Sequence, residues 1–111
     1  MPVKQPTITV NADLKKGVIQ CTPKGGHLHC KSLDQLQWVS EQPSNKAKWF
    51  ELEFKDFDSG NDIPWPFNEA VPGWPLADTG TLTIKTSGVI KYIVKVVGCG
   101  PLDPIIIVDK N

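Results

Sequence analysis

The densest group of chemically capable side chains lies in "GGHLHC", where His27 and His29 stand two residues apart and Cys30 follows directly. Side chains at i and i+2 of an extended chain point to the same side, and imidazole nitrogens with a thiolate are ligands that zinc and its neighbours accept. Cys99 would add a further ligand if its loop meets that turn. A His-x-His pair in a glycine turn is otherwise a solvated turn, and the chain holds no other cluster with metal-site spacing. Copper or zinc on His27, His29, Cys30 or Cys99 is therefore the alternative reading, and no resident cofactor is expected. The carboxylates of "DFDSGND", Asp56, Asp58 and Asp62, begin like a calcium loop. Their spacing fails after Gly60, and no glutamate stands where the bidentate ligand belongs.

Catalytic patterns are missing as well. The chain has no Gly-x-Ser-x-Gly elbow, and "PKGGH" lacks the Gly-Lys-Ser/Thr ending of a phosphate loop. With two histidines and no paired acid and base, no enzyme is expected.

The 12 acidic residues balance 12 basic ones, all of them lysine. No arginine fork exists for bidentate grip on phosphate, and no basic stripe releases counterions, so nucleic acid is not an expected partner. No run approaches the roughly 20 apolar residues of a membrane span. "MPVKQPTITV" runs into strand-like alternation without the apolar block of a secretory signal. That fits a cytoplasmic protein starting at Met1, or a periplasmic or secreted one from which a signal peptide has been removed. The compartment stays open.

Three cysteines leave at least one thiol unpaired. Small cysteines on strands usually serve as buried apolar residues. A Cys21–Cys30 bridge is the other reading, and it requires an oxidising compartment.

What must position these groups is a set of strands. Ile8 and Val10, then Val18, Ile19 and Cys21, flank a break at Asn11–Gly17. "TPKGGHLHCKS" reads as turn chemistry. "DQLQWVS" puts Leu36 and Trp38 opposite Gln35 and Gln37, and "WFELEF" puts Phe50, Leu52 and Phe54 opposite Glu51 and Glu53. "TLTIKT" turns Leu82 and Ile84 inward, "IKYIVKVV" sets Ile90, Tyr92, Val94 and Val96 on one face, and "PIIIVD" closes the chain. At 111 residues one core suffices, so one domain over 1–111 is expected. About seven strands without a helical stripe predict an all-β, two-sheet Greek-key sandwich.

Residues 55–80 break the alternation, carrying four of the ten prolines together with Trp65 and Trp74. Proline removes ladder donors, which rules out a central strand, and the aromatics argue against disorder. Two readings stand: a lid whose rings plug the sandwich, or an exposed recognition surface on Trp65, Trp74 and Phe67. A long ordered loop in a compact domain is often functional.

"DQLQWVS", "WFELEF" and "YIVKVVGCGPLDPIIIV" resemble the cupredoxin family in order and spacing. The resemblance implies a copper-binding sandwich whose ligands are two histidines and a cysteine, the cysteine ending a Tyr-x-Phe-x-Cys strand. With Tyr92 at the tyrosine position, Val96 falls where the thiolate belongs, and Cys99 falls near a ligand histidine. Lys48, Trp49 and Phe50 stand where the first histidine belongs. The resemblance therefore implies the frame without the blue copper ligands. The expected function is a non-catalytic binding or protein-interaction module on a copper-free scaffold, with a protein or small-ligand partner and a weak homodimer as a further expectation.

Overall fold

The structure is a computed structural model that describes residues 6–110. Eight strands follow in order: β1 (Thr7–Asp13), β2 (Val18–Thr22), β3 (Leu28–Lys31), β4 (Gln35–Ser40), β5 (Glu51–Asp56), β6 (Leu82–Thr83), β7 (Gly88–Lys95) and β8 (Ile105–Asp109). Single 3-10 turns at Lys24–Gly26 and Lys46–Lys48 are the helical elements among the described residues. No helix there is long and apolar enough to cross a membrane.

The strands form two four-stranded sheets, ordered β2-β1-β4-β6 and β3-β8-β7-β5. Every connection from β2 through to β7 passes from one sheet to the other, which produces the expected all-β sandwich. Two neighbouring pairs, β1 with β4 and β3 with β8, are parallel, and the remaining pairs are antiparallel.

The alternation in the sequence becomes two-sided burial. Along β4, Leu36, Trp38 and Ser40 are buried, and along β7 so are Ile90, Tyr92 and Val94. Each strand thereby removes one apolar row from water, at roughly 25 cal/mol per Å² of apolar surface. Trp38, Phe50, Leu52, Phe54, Leu82, Ile84, Tyr92, Val94 and Val96 all lie in the single core cluster.

Against about seven expected strands, the described residues form eight. "TPKGGHLHCKS" is a turn only in its first half. Leu28–Lys31 becomes β3 because β8 offers it a parallel partner, in register from Leu28 opposite Ile106 to Lys31 opposite Asp109. Pairing with a distant strand overrides the local turn composition.

At the centre, the Trp38 ring meets Phe54, Phe67 and Tyr92 edge-on, with centroids 6.1, 5.9 and 5.3 Å away. Its indole N–H is buried without a hydrogen-bond partner. An orphaned donor costs about 1–3 kcal/mol, which edge-on aromatic contacts of about 0.5–1.5 kcal/mol each offset. The neighbouring Tyr92 hydroxyl donates instead to the carbonyl of Gly26. Burial raises the Tyr92 pKa well above the usual phenol range.

The long segment between β5 and β6 runs along the flank of the sandwich instead of capping an end. Single bridges join Lys55 to Asp62, Phe50 to Leu76, Val39 to Asp78 and Phe67 to Ile84. The segment thus ties β5 of one sheet to β4 and the β6 region of the other. It also supplies partners to part of the outer edge of β5, an edge that would otherwise be open to pairing with another chain.

Candidate functional site

The structure separates the metal-ligand candidates of the sequence. His27 and His29 are exposed beside a groove shared with Pro6, Pro23, Lys24, Leu28, Ile105 and Ile107. The His27 Nδ1 accepts the Ile105 backbone N–H at 3.1 Å, and the His29 Nε2 lies 2.8 Å from an Asp109 carboxylate oxygen. Cys30, between the sheets, is buried. Cys99 contacts the Asp13 carbonyl through Sγ at 3.9 Å, at the far end of β1 from Pro6. Seven strand residues at about 3.3 Å each put roughly 20 Å between those ends. Among the described residues no group of three His, Cys, Asp or Glu side chains is arranged to hold a metal ion. Val96, at the position the cupredoxin resemblance gives to the thiolate, is a buried aliphatic side chain. The residues present do not fit a blue copper ion.

Cys21, Cys30 and Cys99 are free thiols. Burial pushes Cys21 up to about 11 and Cys30 up to about 11, the latter helped by the carboxylates of Asp34 and Asp109. Both behave as core apolar residues. The Cys21–Cys30 bridge left open above is not formed.

The three aromatic candidates part company. Phe67 is 1% exposed and belongs to the core, so its expected place on a recognition surface is corrected. The ring that projects is Phe57, 48% exposed, just after β5. Trp65 and Trp74 lie between these extremes, partly buried against the core cluster. Rings follow one another outward from the centre: Phe54 and Phe67 meet Trp65 at 5.5 and 5.1 Å, and Trp65 meets Trp74 at 6.2 Å. Trp74 is the outermost ring of this series.

Glu69 holds the series in place. The Trp65 indole N–H donates to the Glu69 carbonyl at 2.6 Å. The Glu69 carboxylate accepts the Thr83 backbone N–H at 2.5 Å and the Thr83 hydroxyl at 2.8 Å. These bonds, the backbone one foremost, hold the Glu69 carboxyl below the usual glutamate range against the opposing effect of burial. The Trp65 ring is fixed on both its apolar body and its polar edge, the arrangement that suits tryptophan to a contact site.

Trp65 forms one wall of a groove of about 370 Å³. Pro64, Pro66 and Ile63 continue that wall, and Asp56 with Lys85, Thr86, Ser87, Gly88, Val89 and Ile90 complete the lining. The Asp56 carboxylate accepts the Ser59 backbone N–H at 2.8 Å. That bond and one from the Ser59 side chain hold Asp56 below the usual carboxylate range, so it faces the groove as an anion at neutral pH. The groove therefore combines an aromatic wall with a carboxylate, an ammonium and two hydroxyls. Trp65 was legible in the sequence as a candidate. Asp56 and Lys85–Gly88 were not, although "KTSG" between two strands is the kind of polar turn that lines such openings.

No family model and no curated protein matches the chain. Among solved structures it is similar to a multicopper oxidase, mgLAC, at 15% sequence identity and a TM-score of 0.49. That likeness covers 96% of this chain and 39% of the oxidase chain. The class of the protein, an all-β sandwich of two four-stranded sheets, rests on its own strand pairing.

Proposed function

We propose that the protein is a non-catalytic binding module on a cupredoxin-like, copper-free scaffold, and that it takes a small polyhydroxylated ligand of the sugar class in the groove beside Trp65. The observation that carries this reading is the Trp65 ring itself. It is only partly buried, locked between Phe54, Phe67 and Trp74 and bonded to the Glu69 carbonyl, and it faces a groove that also holds Asp56, Lys85, Thr86 and Ser87. Binding sites of this size join apolar walls to a few placed polar groups, and a ring already held in place loses little entropy on contact.

A sugar presents both complements, C–H faces for the indole and hydroxyls for the carboxylate and hydroxyl groups. The test is tryptophan fluorescence during titration with a panel of neutral mono- and oligosaccharides, on wild type and on Trp65→Ala. Saturable change in the wild type, absent from a folded Trp65→Ala, supports the reading. A panel without response rejects it.

A further inference from the structure

A second surface lies at the other end of the sandwich. β7 begins at Gly88 beside the Trp65 groove and ends at Lys95, and the loop that follows carries Val97, 89% exposed. That loop is clamped to the β1–β2 turn. Gly100 N–H donates to the Gly17 carbonyl at 2.9 Å, Cys99 Sγ meets the Asp13 carbonyl, and Leu14 lies against Gly98. The turn is itself rigid, because the Asp13 Oδ1 accepts the backbone N–H groups of Lys15 and Lys16, each at 3.1 Å. Two adjoining, stiffened loop tips therefore present Leu14 (39% exposed) and Val97 to solvent together.

Lysines adjoin the Leu14 tip. Lys15, Lys16 and Lys48 line a groove of about 480 Å³ with Leu14, Val18 and the amides of Asn11 and Gln20. Three lysines of β5 and β7 are paired, Lys55 with Asp62, Lys91 with Asp103 and Lys95 with Glu53, whereas, among the described residues, Lys24, Lys31, Lys46, Lys85 and Lys110 stand apart from this groove without an ion pair. Among the described residues, no carboxylate lies within ion-pair distance of Lys15, Lys16 or Lys48. Asp13 is the only acidic residue lining the groove, and one of its oxygens is taken by the turn. The groove thus sets three ammonium groups without an ion pair beside the exposed aliphatic side chains of Leu14 and Val18.

We propose that this end of the sandwich docks on the headgroup surface of an anionic lipid bilayer, with Lys15, Lys16 and Lys48 against the headgroups and Leu14 and Val97 reaching into the interface. Charge complementarity and the apolar tips together select this occupant. A soluble anion would use the lysines and leave Val97 in water, whereas a bilayer edge offers both environments. Lysine, a compact point charge without a bidentate fork, suits diffuse anionic headgroups.

The test is co-sedimentation of the full chain with phosphatidylcholine vesicles, with and without phosphatidylserine, at low and high salt. Binding should require phosphatidylserine and fall as salt rises. The triple variant Lys15→Gln, Lys16→Gln, Lys48→Gln should lose on the order of 100-fold in affinity. Leu14→Ser with Val97→Ser should weaken binding severalfold at unchanged charge, and an unchanged melting temperature for both variants keeps folding out of the comparison. Soluble glycerophosphoserine should compete poorly. Equal binding to neutral vesicles, no binding to either, full affinity in the serine double variant, or efficient competition by the soluble headgroup would each overturn the proposal.

Discussion

The Tyr92 hydroxyl hydrogen-bonds to the carbonyl oxygen of Gly26, 66 residues earlier in the chain, and joins the middle of β7 to the turn between β2 and β3. Gly26 has φ +88, and a Cβ there would come within 2.6 Å of the Tyr92 oxygen, 2.9 Å of Pro104 Cγ and 3.0 Å of Cys21 Cβ. Two independent reasons therefore reserve the position for glycine, its backbone conformation and the space around it.

Gly26→Ala should destabilise the fold by about 2–5 kcal/mol, from overpacking added to left-handed strain. Tyr92→Phe leaves the Gly26 carbonyl buried without its donor and should cost about 1–3 kcal/mol. Urea denaturation followed by tryptophan fluorescence measures both. A Gly26→Ala variant as stable as wild type would show that the turn packs less tightly than described.

Trp65→Ala and Trp74→Ala should both remain folded, and unequally stable. Trp65 touches Phe54 and Phe67, so its loss should cost about 2–3 kcal/mol, less than the 3–5 kcal/mol typical of a fully buried tryptophan. Trp74 meets the ring series only through Trp65, so about 1–2 kcal/mol is expected. Unfolding of both variants in chemical denaturation experiments without denaturant would make the flank segment purely a structural strap.

Glu69 gives the segment a pH dependence. Its folded pKa lies below the unfolded value, so the stabilisation is fully present above the ordinary glutamate pKa and is lost as pH falls through the depressed folded value. Glu69→Gln should be less stable by about 1–2 kcal/mol at neutral pH. Melting curves of wild type and variant should converge in acid, and a gap that persists or widens there would contradict the assignment.

The thiols should react in order. Cys99 is the partly exposed one, while Cys21 and Cys30 are buried with pKa values raised to about 11. Ellman's reagent should therefore modify one thiol quickly in the native protein and the other two only on unfolding. Fast modification of all three would place Cys21 or Cys30 nearer to solvent than the core allows.

How much of this the sequence disclosed depended on whether a strand has two different faces. β4, β5 and β7 each bury one side, so Leu36 with Trp38, Leu52 with Phe54 and Tyr92 with Val94 stood out by alternation alone. β3 did not, because four residues behind a Gly-Gly turn become a strand only once β8 lies alongside. The flank segment has no period, so nothing distinguished Phe67, which closes on Ile84, from Phe57, which projects. Nor does a balance of 12 lysines against 12 acids disclose which lysines lack partners. Pairing on β5 and β7 and its absence around Lys15, Lys16 and Lys48 are properties of the fold.

The central claim, a ligand groove walled by Trp65, is tested most directly by two-dimensional ¹H–¹⁵N NMR during titration with an oligosaccharide of the panel that changes the tryptophan fluorescence. The account predicts shifts of the Trp65 indole N–H and of the amides of Thr86, Ser87, Gly88 and Val89, with the Tyr92 and Val94 amides unmoved. Saturable shifts that map elsewhere, or a Trp65 indole resonance unchanged at every concentration, would contradict it.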